Sequence, residues 1–226
     1  MKKHIVVLTG AGMSAESGIK TFRDANGLWE GHDVMEVATP QGFASNPELV
    51  LDFYNQRRRQ LFEVEPNQAH IDLAYLEKNY QVTIVTQNVD DLHERAGSTN
   101  VIHLHGELLK VRSTLDKNDV LDWTTDLVLG DLCKKGHQLR PHIVWFGEDV
   151  PMIEKAVNIC ETANILIIIG TSMQVYPAAS LMHYVPKNTP TYFIDPKPNI
   201  ESNKNLTVIA EKATIGIKRF IDYVSK

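Results

Sequence analysis

Three runs of this chain are apolar at almost every position and rich in β-branched side chains: Ile5–Leu8, Val82–Val85 and Ile165–Ile169. A strand with one wet face alternates polar with apolar residues, so strands without alternation must be covered on both faces. That requirement excludes an open antiparallel sheet and asks for helices packed above and below. Helical patterns lie between the runs. Asn46-Pro47-Glu48 combines a capping side chain, proline at the first position and an acid in the first turn. It predicts a helix to about Glu65, stopped by Pro66, with Asn67 capping a second helix through Asn79. Further helices are expected over Met152–Thr162, Ala178–Tyr184 and Ala213–Val224, and strands over Ile5–Thr9, Val82–Thr86, Val101–His105, Ile143–Phe146, Ile165–Ile169, Thr191–Asp195 and Leu206–Ile209.

This alternation predicts an α/β fold, a Rossmann-like doubly wound parallel sheet. One polar stretch, about Glu107 to Arg140, breaks the rhythm and is expected to form a small inserted lobe within a single domain spanning residues 1–226. Thr21 to Thr39 reads as an irregular functional loop.

Lys plus Arg number 23 against 28 Asp plus Glu, a net charge of −5, which argues against a nucleic-acid partner held through phosphates. Two cysteines, Cys133 and Cys160, cannot build a disulfide framework and suit a reducing compartment. Neither the first apolar run nor the longest is long enough for a signal core or a membrane span. The expectation is a cytoplasmic monomer without a membrane partner and without a long N-terminal extension.

The first strand runs into Gly10-Ala11-Gly12-Met13-Ser14-Ala15-Glu16-Ser17-Gly18. Glycines there let backbone approach a pyrophosphate, although Gly-x-Gly alone also describes an ordinary tight turn. The next glycine is at 18 rather than 15, which departs from the fingerprint of hydride-transferring dinucleotide enzymes. After the Val82 run comes Gln87-Asn88-Val89-Asp90, at the strand end where such sheets bind ligands; Asn88 and Asp90 could equally cap a helix. His103 and His105 stand at i and i+2 of an expected strand and share a face. Nothing nearby completes a metal set, so a single general base is the better functional reading.

With Gly27-Leu28-Trp29, His105-Gly106-Glu107, Pro141–Glu148 and Gly170-Thr171-Ser172 added in order, essentially the whole chain resembles the sirtuins, NAD-dependent protein deacylases. Sirtuins cleave the nicotinamide–ribose bond and transfer the acyl group of a modified lysine to ADP-ribose. The resemblance implies that Gly10, Ala11, Gly12, Ala15, Glu16, Thr21, Phe22, Arg23 and Trp29 bind or cover the cofactor. It places Gln87, Asn88, Val89 and Asp90 around ribose and nicotinamide, and Gly170, Thr171 and Ser172 on phosphate and ribose. Asp195, Pro196 and Lys197 would meet the adenosine ribose, where the family usually has asparagine for Asp195, and Ala213 would lie near the adenine. His105 would be the catalytic base. The acyl-lysine peptide would add as a strand between Val144, Phe146, Gly147, Glu148 and Val175, Tyr176, a mode that takes affinity from main-chain hydrogen bonds.

Tyr54 and Arg57 stand at i and i+3. They could be core and solvated face, since Arg57-Arg58-Arg59 is a basic run. With Ala38 before them, they resemble the desuccinylase and demalonylase branch, where arginine pairs with an acyl carboxylate and tyrosine adds a hydrogen bond. Removal of succinyl, malonyl and acetyl groups is therefore expected, with NAD as cofactor. The zinc cysteines common in the family are missing. Only Cys133 and His137 remain as potential ligands where a closed site needs four, so no zinc is expected. Leu115, Leu121, Trp123, Leu127 and Leu129 are expected to hold the lobe instead. Competing readings are a mono-ADP-ribosyltransferase on the same scaffold and a binding module that senses NAD or ADP-ribose without turnover.

Overall fold

A computed structural model describes residues 2–20 and 28–224. In chain order the elements are β1 (His4–Thr9), β2 (Leu28–Trp29), β3 (His32–Asp33), α1 (Val34–Val37), α2 (Pro40–Ser45), α3 (Pro47–Leu61), α4 (Gln68–Leu76), β4 (Gln81–Thr86) and α5 (Leu92–Arg95). They continue with β5 (Val101–His103), β6 (Gly106–Ser113), β7 (Val120–Asp122), β8 (Leu139–Ile143), α6 (Ile153–Cys160), β9 (Ile165–Ile169), β10 (Thr191–Ile194), β11 (Leu206–Ile209) and α7 (Ala213–Val224). Single 3₁₀ segments cover Ala11–Met13, Ala15–Ser17 and Ala178–His183.

Six strands form one parallel sheet in the order β11-β10-β9-β1-β4-β5. The unbroken apolar runs are its middle, and their side chains divide by parity. Ile5, Val7, Ile84, Ile165, Ile167 and Ile169 pack under α4 and α7 with Leu73, Ile217 and Phe220. Val6, Leu8, Val85, Leu166 and Ile168 pack on the opposite face with Ala156 and Cys160 of α6 and with Leu181. The chain leaves β1 towards β4 on one side, while β9 joins β1 on the other. The C-terminal ends of β1 and β9 therefore form the switch point where sheets of this kind open a crevice.

The polar stretch builds a second, antiparallel sheet of order β7-β6-β8 that starts at Gly106 and ends at Ile143, beyond the expected 107–140 at both ends. Its core is Leu51, Val111, Leu127, Cys133 and Leu139, with Leu121 and Trp123 packed against it. Leu115 and Leu129 were expected in that core and are exposed instead, because they lie on turns outside the three strands.

Other boundaries also differ from expectation. The strand through His105 stops at His103, because Gly106 adopts φ +84° and carries the chain into β6; a Cβ there would overlap the His142 carbonyl. The strand expected at 143–146 lies at 139–143, where Pro141 is accommodated because β8 is an edge. α3 ends at Leu61, one turn before Pro66. The loop expected to be irregular to Thr39 contains α1, capped by the Asp33 carboxylate, and ends where the Thr39 hydroxyl caps α2 with Pro40 at its first position.

Candidate active site

At the switch point three glycines bring β1 and β9 together. A Cβ on Gly10 would lie 2.7 Å from the Thr171 Cβ, and one on Gly12 would lie 2.7 Å from the Gly170 Cα. Gly170 itself has φ +65°. The glycines therefore let the loops that follow β1 and β9 pack backbone against backbone, at the strand ends where sheets of this kind bind ligands. Ala11, Ala15 and Ser172 flank this contact with partly or fully exposed surfaces. The Glu16 carboxylate accepts from the Thr214 N–H and hydroxyl, both at 3.0 Å, and so ties this loop to the start of α7 beside buried Ala213. Asp195 is buried at the end of β10 and accepts from the Lys197 N–H at 2.8 Å, with Pro196 and Lys197 exposed at the rim. Thr21, Phe22 and Arg23 lie outside the described residues.

From the end of β4 a polar network spreads beneath these loops. The Ser14 hydroxyl donates to the Asp90 carboxylate at 2.9 Å and accepts from the Asn88 amide at 3.0 Å. Asp90 also accepts from the Leu92 N–H at 3.2 Å. Burial pushes the Asp90 carboxyl above the usual range, and those hydrogen bonds oppose the shift. Gln87 donates its side-chain amide to Thr171 at 3.1 Å, joining β4 to β9. Ser14 is the hub of this network, and the sequence gives it no individual role beyond membership of the Gly10–Arg23 segment. Its only signal was its place inside the glycine motif.

His103 and His105 rest on consecutive carbonyls of the same turn. The His105 Nδ1 is 3.1 Å from the Gln87 carbonyl, and the His103 Nδ1 is 3.0 Å from that of Asn88. A carbonyl can only accept, so each Nδ1 carries a proton. The second nitrogens then diverge. His103 Nε2 meets the Glu94 carboxylate at 2.8 Å. Burial alone would lower its pKa, but Glu94 outweighs that and raises it, which favours the imidazolium. For His105 burial dominates and lowers the pKa, with the Gln87 bond opposing. His105 is thus neutral at pH 7, with its lone pair on Nε2, the form a general base needs.

On the far side of Asp90 a cavity is lined by Trp29, Glu30, Tyr54, Arg57, Val89 and Leu108, among others. Tyr54 is fully buried, Trp29 packs edge-on against Tyr54 and Phe53, and Ala38 is buried in the same cluster. The three arginines of α3 have three different fates. Arg59 is exposed and pairs with Asp126 at 2.7 Å. Arg58 is buried, with Nε donating to the Leu108 carbonyl and Nη1 to Asn55, while its Nη2 has no partner among the described residues. Arg57 stacks on Phe53, and its buried Nε and Nη1 have no partner among the described residues.

The Phe146, Gly147, Val175 and Tyr176 segments are exposed, whereas Val144 is half-buried and its N–H bonds to the His105 carbonyl at 2.9 Å. The Glu148 side chain turns inward onto Arg112 and Arg140.

The Sir2 family profile matches residues 10–177. The chain belongs to the Sir2 family. This Sir2 member is 64% identical over 212 residues to a protein of Helicobacter pylori (strain ATCC 700392 / 26695) named NAD-dependent protein deacylase, covering 93% of each chain. A Bacteroides thetaiotaomicron protein of the same name is 54% identical over 223 residues, covering 96% of this chain and 95% of its own. Among solved structures, a Sir2 homologue in complex with NAD superposes with a TM-score of 0.87 at 41% identity, covering 99% of this chain and 90% of the other.

The zinc module common in the family has no counterpart in these side chains. Cys133 is buried in the core of the small sheet, and its N–H bonds to the His137 carbonyl at 2.8 Å. Cys160 is buried under the parallel sheet. Among the described residues no group of three or more His, Cys, Asp or Glu side chains is placed to hold a metal ion. A closed structural site needs four ligands, and the chain has two cysteines, which lie in different cores.

Proposed function

We propose that this chain is an NAD-dependent protein-lysine deacylase that accepts succinyl, malonyl and acetyl groups and prefers the acidic ones. NAD would supply an activated nicotinamide–ribose bond, and acyl-lysine, NAD and one water would give nicotinamide, O-acyl-ADP-ribose and free lysine. Gly10, Gly12, Gly170 and Thr171 hold the pyrophosphate end, and Asn88 and Asp90, fixed by Ser14, face the ribose and nicotinamide. His105 takes a ribose hydroxyl proton on Nε2 while Nδ1–H stays anchored to the Gln87 carbonyl. The peptide pairs as a strand between the exposed segments at 146–147 and 175–176. The two free, buried cysteines suit the reducing cytoplasm.

The observation that carries the acyl preference is Arg57. A guanidinium with two buried, unpartnered N–H groups beside a buried tyrosine is costly unless an anion completes it. A carboxylate matches that fork in two-point geometry. The small lobe, held by Val111, Leu127, Cys133 and Leu139, works without zinc in this reading.

The test is NAD-dependent nicotinamide release with succinyl-lysine and acetyl-lysine peptides side by side, with His105→Ala and Arg57→Met as variants. His105→Ala should abolish turnover on both. Arg57→Met should cut kcat/KM on succinyl-lysine by roughly 30-fold or more, as expected for losing one partner of a buried charge pair, and acetyl-lysine far less. Equal losses would refute the acyl pocket. Nicotinamide release without deacylated peptide would favour ADP-ribosyl transfer, and no turnover would favour a sensor.

A further inference from the structure

The acyl pocket has a buried layer behind it that the reaction itself does not use. The Trp145 indole Nε1–H lies 2.9 Å from the Tyr54 hydroxyl oxygen. Both residues are buried, with Tyr54 fully so and Trp145 at 2% exposure. An indole nitrogen can only donate, so the tyrosine oxygen must accept there. A phenol has one proton. Because that proton cannot point at Trp145, it is left for another acceptor, and Tyr54 lines the cavity shared with Arg57. No other partner of the Tyr54 hydroxyl stands among the described residues.

Trp145 is itself held from three directions. The Arg140 guanidinium lies over its ring at 3.3 Å from the centroid. Its backbone N–H donates to the Glu148 carboxylate at 2.8 Å, and Phe43 packs against the ring at 5.3 Å. The indole cannot swing away without losing the Arg140 and Phe43 contacts, and the Glu148 bond fixes the backbone it hangs from, so the direction of its N–H is preset.

We infer that Trp145 is a positioning residue for acyl specificity: its indole N–H makes the Tyr54 hydroxyl an acceptor on one side and so a committed donor towards the carboxylate of an acidic acyl group. This rests on the acyl preference proposed above. With Arg57 Nε and Nη1 it gives three N–H or O–H donors around one cavity, enough to satisfy both oxygens of a carboxylate and ill-suited to the methyl of an acetyl group.

The experiment is a double-mutant cycle read as the ratio of kcat/KM on succinyl-lysine to that on acetyl-lysine, so that a general loss of activity cancels. Trp145→Phe keeps an apolar ring and removes the donor; it should lower the ratio about tenfold, chiefly through the succinyl-lysine KM. Tyr54→Phe should lower it by at least as much. The double variant should fall no further than Tyr54→Phe alone, because Trp145 acts only through that hydroxyl. If Trp145→Phe does not fold, 3-benzothienylalanine placed at position 145 replaces N–H by sulfur in the same shape and should give the same fall.

A ratio unchanged without the indole N–H, while Tyr54→Phe lowers it, would overturn the positioning role and leave the acyl pocket intact. Losses that multiply in the double variant would also overturn it, since Trp145 would then act independently. A ratio that neither Tyr54→Phe nor Arg57→Met changes would instead refute the acyl pocket on which the inference rests.

Discussion

Replacing Glu148 by glutamine should destabilise the protein far more than breaking an equally short ion pair elsewhere. The Glu148 carboxylate accepts from Arg140 Nη1 at 2.7 Å and Nη2 at 3.1 Å, from Arg112 Nη2 at 3.0 Å and from the Trp145 N–H at 2.8 Å. The arginine side chains are 9% exposed and that of Glu148 is 21% exposed, so water screens the cluster poorly. Removing the negative charge leaves two guanidiniums facing one another in a mostly dry place. Losing one partner of a buried pair costs about 3–5 kcal/mol. Glutamine keeps one accepting oxygen, which puts the expected loss near 3 kcal/mol, or a fall in Tm of roughly 6–12 °C for a chain of this length.

The control is the Arg59–Asp126 pair, also 2.7 Å but 55% and 46% exposed, for which Asp126→Asn should cost under about 1 kcal/mol. The assay is urea unfolding followed by tryptophan fluorescence at pH 7 and again near pH 3. For Glu148, burial pushes the pKa up, but the arginine hydrogen bonds outweigh it and lower it below 4.5. Its contribution is therefore complete above pH 4.5 and is lost as pH falls through the folded value. The gap between wild type and Glu148→Gln should narrow at the lower pH. Equal losses for Glu148→Gln and Asp126→Asn, or a gap that does not narrow in acid, would refute the claim that burial gives this cluster its strength.

Four other outcomes are expected. The kcat/KM profile should rise with pH through a pKa below 6.5, since burial depresses His105 and only its neutral form is a base; a pH–rate series on one peptide measures it. His70 and His93 are fully buried with rings 4.8 Å apart, and burial drives the His70 pKa down to about 4. Stability should therefore be full above pH 6.5 and fall by about 3 kcal/mol as pH drops to 4, and urea unfolding should show His70→Leu losing less over that range. Gly10→Ala forces a methyl against Thr171, so NAD titration should give a higher KM and unfolding a loss of about 1–3 kcal/mol. Metal analysis of protein purified without added zinc should find well under one equivalent.

The parallel sheet was readable because burial on both faces leaves a mark that needs no tertiary information. Ile165–Ile169 and Leu206–Ile209 match their strands residue for residue, and Ala213–Val224 matches its helix. What was misread depends on partners distant in sequence. His105 belongs to no strand because Gly106 turns the chain against His142, and nothing near 106 announces that contact. Leu115 and Leu129 have the composition of core but sit on turns, where a leucine is free to face water. The short helix Pro40–Ser45 follows directly on the stretch that reads as an irregular loop to Thr39, whose hydroxyl caps it.

The site divides in the same way. Residues that must present a particular group to a ligand are constrained in type, and Gly10, Asn88, Asp90 and His105, proposed here for that role, stand out in the sequence. Residues that act by orienting another side chain are constrained only in space. Ser14 joins Asn88 to Asp90 across more than seventy residues, and Trp145 reaches Tyr54 across ninety-one. Either could pass for an ordinary loop serine or core tryptophan. It is the hydrogen-bond partners that separate them: Ser14 donates to Asp90 while accepting from Asn88, and the Trp145 indole can only donate to the Tyr54 oxygen. Orientation of this kind is a property of pairs, and a single sequence shows only the members.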